Sequence, residues 1–492
     1  MSKLSRILKE PSGTYRQVGA MQQNVYVRLW EQATWCLFLC GLLVVAFVPG
    51  RIDNPSWYYP ALMLMIAAVN AILLRFRYVR HLHTKPFLLI VGLLLISQVW
   101  LVLQVTVPLE DALHQRVFPT NLRPTWFTPE FKWSLLPNQS MLLVPREMLV
   151  LAVFVSTALL CSSKARLTAL LWLFVVCALM HSAIATFAWY TQSHLVDLRA
   201  LDGHFDAMRG LFINRNHFAS FLLIVSVGSL VSVIYRLYQL RDLSLSKKFF
   251  RFVGSRALVH CVVLTLSAFC IVMSESRAGF AGIVIILAVI IFGFGIKSSA
   301  SQNKNSSDLY ISKSVVFLFA LLLILIAIVL LGDGVVERFS SSYTVLGERP
   351  VQWMITLNAI FERPLIGYGG GTYATVFEIY REGYPLREVV YDQAHNQYLH
   401  LWLEQGFIGL AFFVAILVVC FVTLRKAIAS TRSRFRHALL IGVLAICCAA
   451  IFQTLFDFNL QIVRIRIFFF VSLAMIFILA KYDSHSEHSK RA

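Results

Sequence analysis

Apolar and polar stretches alternate along this chain at a spacing typical of membrane proteins. A helix needs roughly 20 consecutive apolar residues to cross the hydrocarbon core of a bilayer. Twelve runs in the sequence are near that length, so the pattern predicts an all-α polytopic membrane protein with about twelve transmembrane helices. The predicted runs are residues 29–48, 57–74, 87–107, 141–160, 168–189, 217–235, 258–274, 279–296, 315–331, 404–424, 438–456 and 462–480.

Composition agrees with this fold class. Hydrophobic residues make up 58% of the chain and charged residues 14%, which fits a protein whose surroundings are mostly lipid. The first apolar run follows a basic segment, residues 1–28, and no small-residue cleavage site comes after it. We therefore expect this run to be a membrane anchor and not a secretory signal peptide.

The distribution of charge predicts which way the chain crosses the membrane. If both termini are cytoplasmic, the cytoplasmic segments hold 28 of the 44 Lys and Arg residues but only 6 of the 25 Asp and Glu residues. Because basic residues are enriched in cytoplasmic loops, we predict that both termini lie inside. Topology and anionic membrane lipid then account for the net charge of +19, and no nucleic-acid partner is needed to explain it.

The cysteines carry no sign of a disulfide framework or a zinc site. All nine fall in apolar runs or at a predicted inner span end. We interpret them as small packing residues.

On the predicted topology, polar segments with unusual chemistry collect on the outer side of the membrane. Binding and catalytic residues concentrate in loops held by a rigid scaffold, so we expect a substrate to be handled on this side. The outer elements are residues 108–140, 190–216, 274–278, 332–397 and 456–466.

The largest outer loop, residues 332–397, contains a predicted helix. Pro350 suits a first helical position and Pro364 would stop the helix. Between them, apolar residues such as Trp353 and Leu357 recur at helical spacing. We therefore predict a short amphipathic helix within residues 347–364.

The same loop contains the glycine run Gly367–Gly371. Such a run cannot form a helix interior, and it is not followed by Lys and Ser or Thr, so a nucleotide-binding P-loop is a poor match. A plain connector is the favoured interpretation. The alternative is a turn whose backbone N–H groups approach an anion.

A helix is predicted to begin near Asp392 and to continue into the apolar run at 404–424. His395 would then stand at the helix N-terminus, with Glu404 more than two turns further along. An imidazole can accept a proton near neutral pH. Position alone does not distinguish His395 from an ordinary surface histidine.

The order of short motifs in the second half of the chain resembles the O-antigen ligase and polymerase superfamily. The resemblance spans roughly residues 205–460, whereas the N-terminal third is similar only in having apolar spans. The matching elements are Gly210-x-Phe212-x-Asn214-x-Asn216-His217, Ser276-Arg277, Arg349-x-x-x-Trp353, Pro364-x-x-Gly367-x-Gly369, Ala394-His395-Asn396, Glu404-x-Gly406-x-x-Gly409 and Asp457-Phe458-Asn459.

The resemblance implies a membrane glycosyltransferase of the GT-C type in the bacterial inner membrane, with its active site on the periplasmic side. The donor would be a glycan carried by undecaprenyl diphosphate, and the acceptor would be lipid A core or another glycan. The implied transfer is inverting and uses neither a metal nor another cofactor. Ligase and polymerase both stay open, as does protein O-glycosylation.

The resemblance also implies roles for individual residues. His395 would be the general base, while Arg277 and Arg349 would stabilise the diphosphate leaving group. Glu404 or Asp392 would orient the imidazole, and the sequence does not choose between them. Expected substrate-binding residues are Arg209, Arg215, Asn216, His217, Asn396, Glu404 and Tyr368.

Two other classes of function remain open at this stage. Twelve spans alone would suit a solute transporter, but no internal repeat is visible and charges gather at outer span ends. Aromatic outer loops would also suit a non-catalytic scaffold for envelope assembly. Arg277 has a structural alternative as well, because it could anchor its hairpin by pairing with Glu275.

The chain divides into four predicted parts. Residues 1–28 form a cytoplasmic segment and residues 481–492 a cytoplasmic tail. Residues 29–204 form the N-terminal transmembrane helices. Residues 205–480 form the ligase-like membrane domain, including the outer loop at 332–397.

Overall fold

The residues that the computed structural model describes are mostly helical. It covers residues 12–48, 57–75, 85–109, 132–161, 163–192, 207–240, 243–299, 348–384, 386, 390–431 and 433–488. The helices are α1 (Ser12–Phe47), α2 (Tyr58–Arg75), α3 (Lys85–Thr106), α4 (Pro137–Met141), α5 (Leu143–Leu160), α6 (Lys164–Tyr190), α7 (Arg215–Val225), α8 (Val227–Leu240), α9 (Leu245–Val253), α10 (Ala257–Met273), α11 (Arg277–Ser299), α12 (Arg349–Glu362), α13 (Tyr373–Tyr380), α14 (Gln397–Ser430), α15 (Arg434–Gln453) and α16 (Val463–His488).

The prediction of an all-α membrane protein is confirmed in its class but not in its count. Within the described residues, eight helices are long and apolar enough to cross a membrane, or nine if the bent pair α9 and α10 is one span. The apolar helices Tyr58–Leu74 and Arg277–Gly293 are shorter. Every predicted run in the described residues coincides with a helix, and the predicted run 315–331 lies outside them.

The most buried span is α16, since 89% of its apolar window lies inside the protein. It packs against α5, α14, α15 and α7. Its phenylalanines, including Phe468 and Phe469, are fully buried. A helix that is apolar on all sides is expected at the centre of a bundle. The segment that joins α15 to the N-terminus of α16 contains Asp457.

The loop between α11 and α14 has a small core of its own. It includes Ile355 and Ile360 of α12, Phe377 of α13 and Leu403 of α14. The predicted loop helix is confirmed as α12, with a proline in its first turn and its end just before Pro364. This core fixes the loop helices against the membrane bundle.

A break in α14 joins that loop to the bundle. Gly406 has φ 68° and ψ −177° inside the helix. The loop backbone docks at the break, where the N–H groups of Tyr368 and Gly369 donate to the carbonyls of Leu403 and Glu404 at 3.0 and 2.8 Å. In return, the N–H of Phe407 donates to the Pro364 carbonyl at 2.8 Å. The glycine run therefore completes the hydrogen bonds that the helix loses.

Side chains of α3 satisfy further carbonyls at the same break. Gln104 Nε2 donates to the carbonyls of Ile366 at 2.7 Å and Glu404 at 3.1 Å. Trp100 Nε1 donates to the carbonyl of Gln405 at 2.9 Å. Buried backbone groups without a partner are costly, so these contacts stabilise the irregular segment at the break.

Several helix ends meet at one end of the bundle, which we call the site end. The N–H of Met208, before α7, donates to the carbonyl of Met273 at the end of α10. The N–H of Gln397, which begins α14, donates to the carbonyl of Thr454 after α15. Segments that the sequence assigned to the outer side thus lie together.

Candidate active site

His395 and Asp457 form the centre of the candidate site. His395 Nδ1 lies 3.3 Å from Oδ1 of Asp457. The Asp457 side chain is buried, whereas 32% of the His395 side chain is exposed. An imidazole that donates from Nδ1 keeps its acceptor lone pair on Nε2. The pair therefore has the form of a general base whose orientation is set by a buried carboxylate.

Three further groups surround the Asp457 carboxylate. Asn216 Nδ2 donates to Oδ2 at 2.8 Å, and the N–H of Phe458 donates to Oδ1 at 2.9 Å. His217 Nε2 lies 3.7 Å from Oδ1, beyond hydrogen-bond distance. Burial alone would raise the pKa of the Asp457 carboxyl, but the imidazoles of His217 and His395 outweigh it and hold that pKa well below its usual range. The carboxyl group therefore stays ionised.

Phe458 holds both imidazoles from one side. Its ring centroid is 4.6 Å from that of His217 and 5.3 Å from that of His395, both at steep interplanar angles. Edge-to-face packing of this kind is favoured between aromatic rings. Phe458 thus limits how far the two histidines can rotate away from Asp457.

His395 lies just outside α14 and not within it. The helix begins at Gln397, with Asn396 as its N-cap, so the predicted start near Asp392 is wrong. The Asn396 side chain accepts hydrogen bonds from the N–H groups of Tyr398 and Leu399. His395 has φ 47°, a left-handed conformation that is strained for a residue with a side chain. Strain of this kind is characteristic of functional sites.

Two arginines, Arg209 before α7 and Arg215 at its first position, lie near Glu275 at the site end. Arg215 Nη1 forms an ion pair with Glu275 Oε2 at 2.8 Å, and the next residue, Asn216, contacts Asp457. Burial lowers the pKa of Arg209, and the nearby Glu275 carboxylate opposes that shift. Glu275 has φ 54°, so the hairpin that carries it is also strained. Two cations and one anion therefore lie close together at the site end.

Arg277 begins α11 on the same hairpin and is exposed. The first turn of α11 packs tightly on α7, because a Cβ added at Gly279 would lie 2.7 Å from the Ala219 side chain. Ser276 caps this turn by accepting from the N–H of Gly279 at 3.1 Å. The structure thus brings Arg277 next to the turns that carry Arg215 and Asn216.

Arg349 is linked to His395 through the loop helix α12. It is the first residue of α12 and lies one turn before Trp353. Trp353 Nε1 donates to the carbonyl of Ala394 at 2.9 Å, and the hydroxyl of Tyr391 donates to Glu348 Oε2 at 3.0 Å. The start of α12 is therefore hydrogen-bonded to the segment 391–394, which directly precedes His395.

Glu404 has a structural position away from the imidazole of His395. It is buried, and its Oε1 lies 3.3 Å from His400 Nε2 and accepts from the N–H of Tyr373 at 3.2 Å. His400 stacks on the Tyr373 ring. The structure thus pairs His395 with Asp457 instead of Glu404 or Asp392. Glu404 holds the end of the glycine run against α14.

Tyr368 and the glycine run are also occupied by internal contacts. Tyr368 is fully buried and its hydroxyl donates to the carbonyl of Ala359 at 2.6 Å, so no ring face is open for a sugar. The N–H groups of Gly367 and Gly369 donate to protein carbonyls. The run therefore serves as a connector, and these donors are not directed at an anion.

Two arginines at the start of α16 hold the connection that contains Asp457. Arg464 is buried, lies 4.4 Å from the centre of the Phe212 ring and donates to the carbonyl of Val48. Arg466 pairs with Glu147 of α5. Charged groups in a membrane helix are costly unless they are paired or bound to carbonyls. Arg466 has a carboxylate partner, and Arg464 has one carbonyl partner.

Sequence reasoning missed the role of Asp457. The motif Asp457-Phe458-Asn459 carried part of the family resemblance, but no periodicity or spacing connects it to His395, which is 62 residues away. Within the described part of the chain, no cluster of three or more His, Cys, Asp or Glu side chains could hold a metal ion.

Comparison with known proteins agrees with the motif-based resemblance. Residues 262–414 match the family described as O-antigen ligase. This range includes Arg277, Arg349 and His395, and it ends before Asp457. No curated protein gives a significant match to the chain. The match at residues 262–414 therefore supports the resemblance to the O-antigen ligase superfamily that the motifs indicated.

Proposed function

We propose that this protein is a membrane glycosyltransferase that transfers a lipid-linked glycan to an acceptor hydroxyl. The observation that carries the proposal is the hydrogen-bonded pair of His395 and Asp457. Arg215 precedes Asn216, which donates to the Asp457 carboxylate, and this supports the presence of cations near the pair. A positioned base and fixed cations are the two requirements of glycosyl transfer from a diphosphate donor.

In the proposed reaction, the oxygen of the acceptor hydroxyl attacks the anomeric carbon of the donor sugar. The bond from that carbon to the diphosphate oxygen breaks, and the proton of the hydroxyl moves to Nε2 of His395. Asp457 stabilises the resulting imidazolium by accepting from Nδ1, as the carboxylate does in a catalytic triad. Attack opposite the leaving group gives inversion at the anomeric carbon.

The leaving diphosphate takes up negative charge as the bond breaks. A guanidinium can bind two of its oxygens at once and does not titrate near neutral pH. We assign this role to Arg277 and Arg349, with Arg209 and Arg215 as further binding groups. The Glu275 carboxylate holds Arg215 at 2.8 Å, which fixes its guanidinium before substrate arrives.

The family match supports a lipid-linked donor and a separate acceptor. We propose that the donor lipid is undecaprenyl diphosphate, that no metal takes part and that the site end faces the periplasm of a bacterial inner membrane. The acceptor is either lipid A core, which makes the protein a ligase, or a growing glycan, which makes it a polymerase. A deletion strain separates these cases, since loss of a ligase leaves long glycan on its carrier and loss of a polymerase leaves single repeat units.

The test is a transfer assay with the purified protein in lipid, a radiolabelled lipid-linked glycan and a candidate acceptor. We expect wild-type protein to form the glycosylated acceptor and His395→Ala to lose activity by roughly 10²- to 10⁴-fold, the usual contribution of a general base. The control is His260→Ala. His260 lies in the first turn of α10, which is at the opposite end of the bundle from His395. Uptake of solute without glycan transfer, or full activity of His395→Ala, would contradict the proposal.

A further inference from the structure

The helix α9 differs from its neighbours in direction. Residues Ser246–Val253 make an angle of 79° with Ala257–Met273 of α10. Because α10 is an apolar helix whose far end lies at the site end, α9 lies at the opposite end of the bundle. A helix nearly perpendicular to a spanning helix runs along the plane of the membrane.

The sequence of α9 separates charge from aromatic surface. Lys247, Lys248 and Arg251 share one face at helical spacing, and Phe249 and Val253 share the other. No Asp or Glu occurs between residues 243 and 257. The helix is therefore amphipathic and purely cationic.

The aromatic face of α9 is not covered by the rest of the protein. Phe249 is 63% exposed, Phe250 73% and Val253 42%. Exposed phenylalanines on a cationic amphipathic helix are the pattern of helices that lie in the headgroup region with their apolar face against the acyl chains. A re-entrant path into the bilayer is excluded, since it would place three cations in hydrocarbon.

The orientation of α9 is fixed by contacts with both neighbours. Arg236 of α8 donates from Nη2 to the carbonyl of Arg251 at 2.8 Å. At the turn into α10, Ser255 Oγ donates to the carbonyl of Phe252 at 2.7 Å and accepts from the N–H of Ala257 at 3.3 Å. The cationic face is therefore presented in a defined direction instead of on a loose loop.

We propose that α9 lies in the plane of the membrane surface and binds the headgroups of anionic phospholipids. Lys247, Lys248 and Arg251 contact the phosphate groups, while Phe249 and Phe250 insert at the boundary with the acyl chains. Anionic phospholipid is the proposed ligand because its charge complements the three cations. The helix also lies at the end of a bundle that spans the membrane. The site is separate from the proposed active site and lies at the other end of the helices.

The first test compares lipid retention by the full-length protein in mixed phosphatidylglycerol and phosphatidylcholine. The variant Lys247→Gln/Lys248→Gln/Arg251→Gln is expected to lower the retained ratio of phosphatidylglycerol to phosphatidylcholine at least about fivefold, since each basic residue at the surface adds to attraction for anionic lipid. Raised ionic strength should lower the wild-type ratio in the same direction.

A matched control removes three exposed charges elsewhere at the same end. Arg425→Gln/Lys426→Gln/Arg434→Gln alters the end of α14 and the start of α15, whose side chains are exposed. The proposal expects this control to keep the wild-type ratio within about twofold. An equal fall of the ratio in both variants would contradict a specific site, because it would show that positive charge anywhere at this end attracts the lipid. An unchanged ratio in the α9 variant would show that α9 does not bind anionic lipid.

A second measurement identifies what covers the aromatic face. A photoreactive benzoylphenylalanine in place of Phe249 should crosslink to phospholipid in reconstituted membranes. Crosslinking to a second copy of the chain or to another protein would overturn the proposal in favour of a protein interface. Because this probe keeps an aromatic side chain at position 249, it should leave the fold intact.

Discussion

Asp457 accepts a hydrogen bond from His395 at 3.3 Å, although the two residues belong to different connections between membrane helices. The carboxylate also accepts from Asn216. It thus joins the connection after α15, the connection before α14 and the first turn of α7. Formation of the base therefore depends on correct packing of all three helices.

Replacement of Asp457 by Asn should slow glycan transfer by on the order of 10²-fold or more, because the imidazole loses the group that fixes its tautomer. Since the pKa of Asp457 lies well below its usual range, the wild-type carboxylate is ionised throughout the working pH range and stabilises the protonated imidazole. In Asp457→Asn that stabilisation is absent, so transfer should be slower than in the wild type at every pH tested.

The control for this prediction is Asp392→Asn, which removes an exposed carboxylate three residues before His395. It should keep most of the wild-type rate and the same pH profile. A larger effect from Asp392→Asn than from Asp457→Asn would mean that the acid acting on the base has been misassigned.

Substitution of Arg277 or Arg349 by Gln should lower kcat by roughly 10²-fold, in the range seen when one group that stabilises transition-state charge is removed. Lys at either position should restore only part of the rate, since it keeps the charge but loses the planar pair of donors. Steady-state transfer kinetics give kcat and the donor KM separately. Arg256→Gln, an exposed arginine at the other end of the bundle, serves as the control.

Gly406→Ala should destabilise the protein strongly. The residue has φ 68°, and an added Cβ would lie 2.1 Å from the carbonyl oxygen of Leu365, so the docked loop would have to move. Gly383→Ala is a matched control, with φ 84° but no atom within 4 Å of the added Cβ. In both variants the alanine must adopt a left-handed backbone conformation, which lowers the free energy of unfolding by about 1–2 kcal/mol. Thermal unfolding in detergent should therefore show a much larger fall for Gly406→Ala, and equal falls would contradict the tight docking.

Glu404→Ala should also lower stability, because His400 would lose its buried partner. A buried polar group left without its hydrogen-bond partner costs about 1–3 kcal/mol. The exposed pair of Glu378 and Arg381 at 2.8 Å provides the comparison, and Glu378→Ala should cost less than about 1 kcal/mol. The same unfolding assay compares the two. Loss of activity by Glu404→Ala without loss of stability would instead support direct contact with substrate.

Local sequence signals predicted the spans and the loop helix well. Pro350 lies in the first turn of α12, and the observed helix ends two residues before Pro364. These signals act within one or two turns, so a single sequence reveals them. The helical spacing extends back to Asp392 and predicts a start for α14 that is five residues too early, because Asn396 supplies the N-cap.

The partner of His395 could not be predicted from local pattern. Asp457 reaches the imidazole only because α14, α15 and α16 pack together, and pairing across 62 residues leaves no periodic trace. The same holds for the glycine run. Its composition excluded a helix, but the acceptors of its N–H groups lie at the Gly406 break in another element.

The interrupted segment of α14 has a consequence for protein engineering. The backbone groups that lose their helical hydrogen bonds at the break are paired instead with backbone groups of Pro364, Tyr368 and Gly369. The side chain of Gln104 on α3 supplies a further donor. A chimera that exchanges the loop with a relative therefore has to transfer the first three turns of α14 and the facing turn of α3 together. Grafts that cut between them would leave buried peptide groups without hydrogen-bond partners and should lower the stability of the chimera.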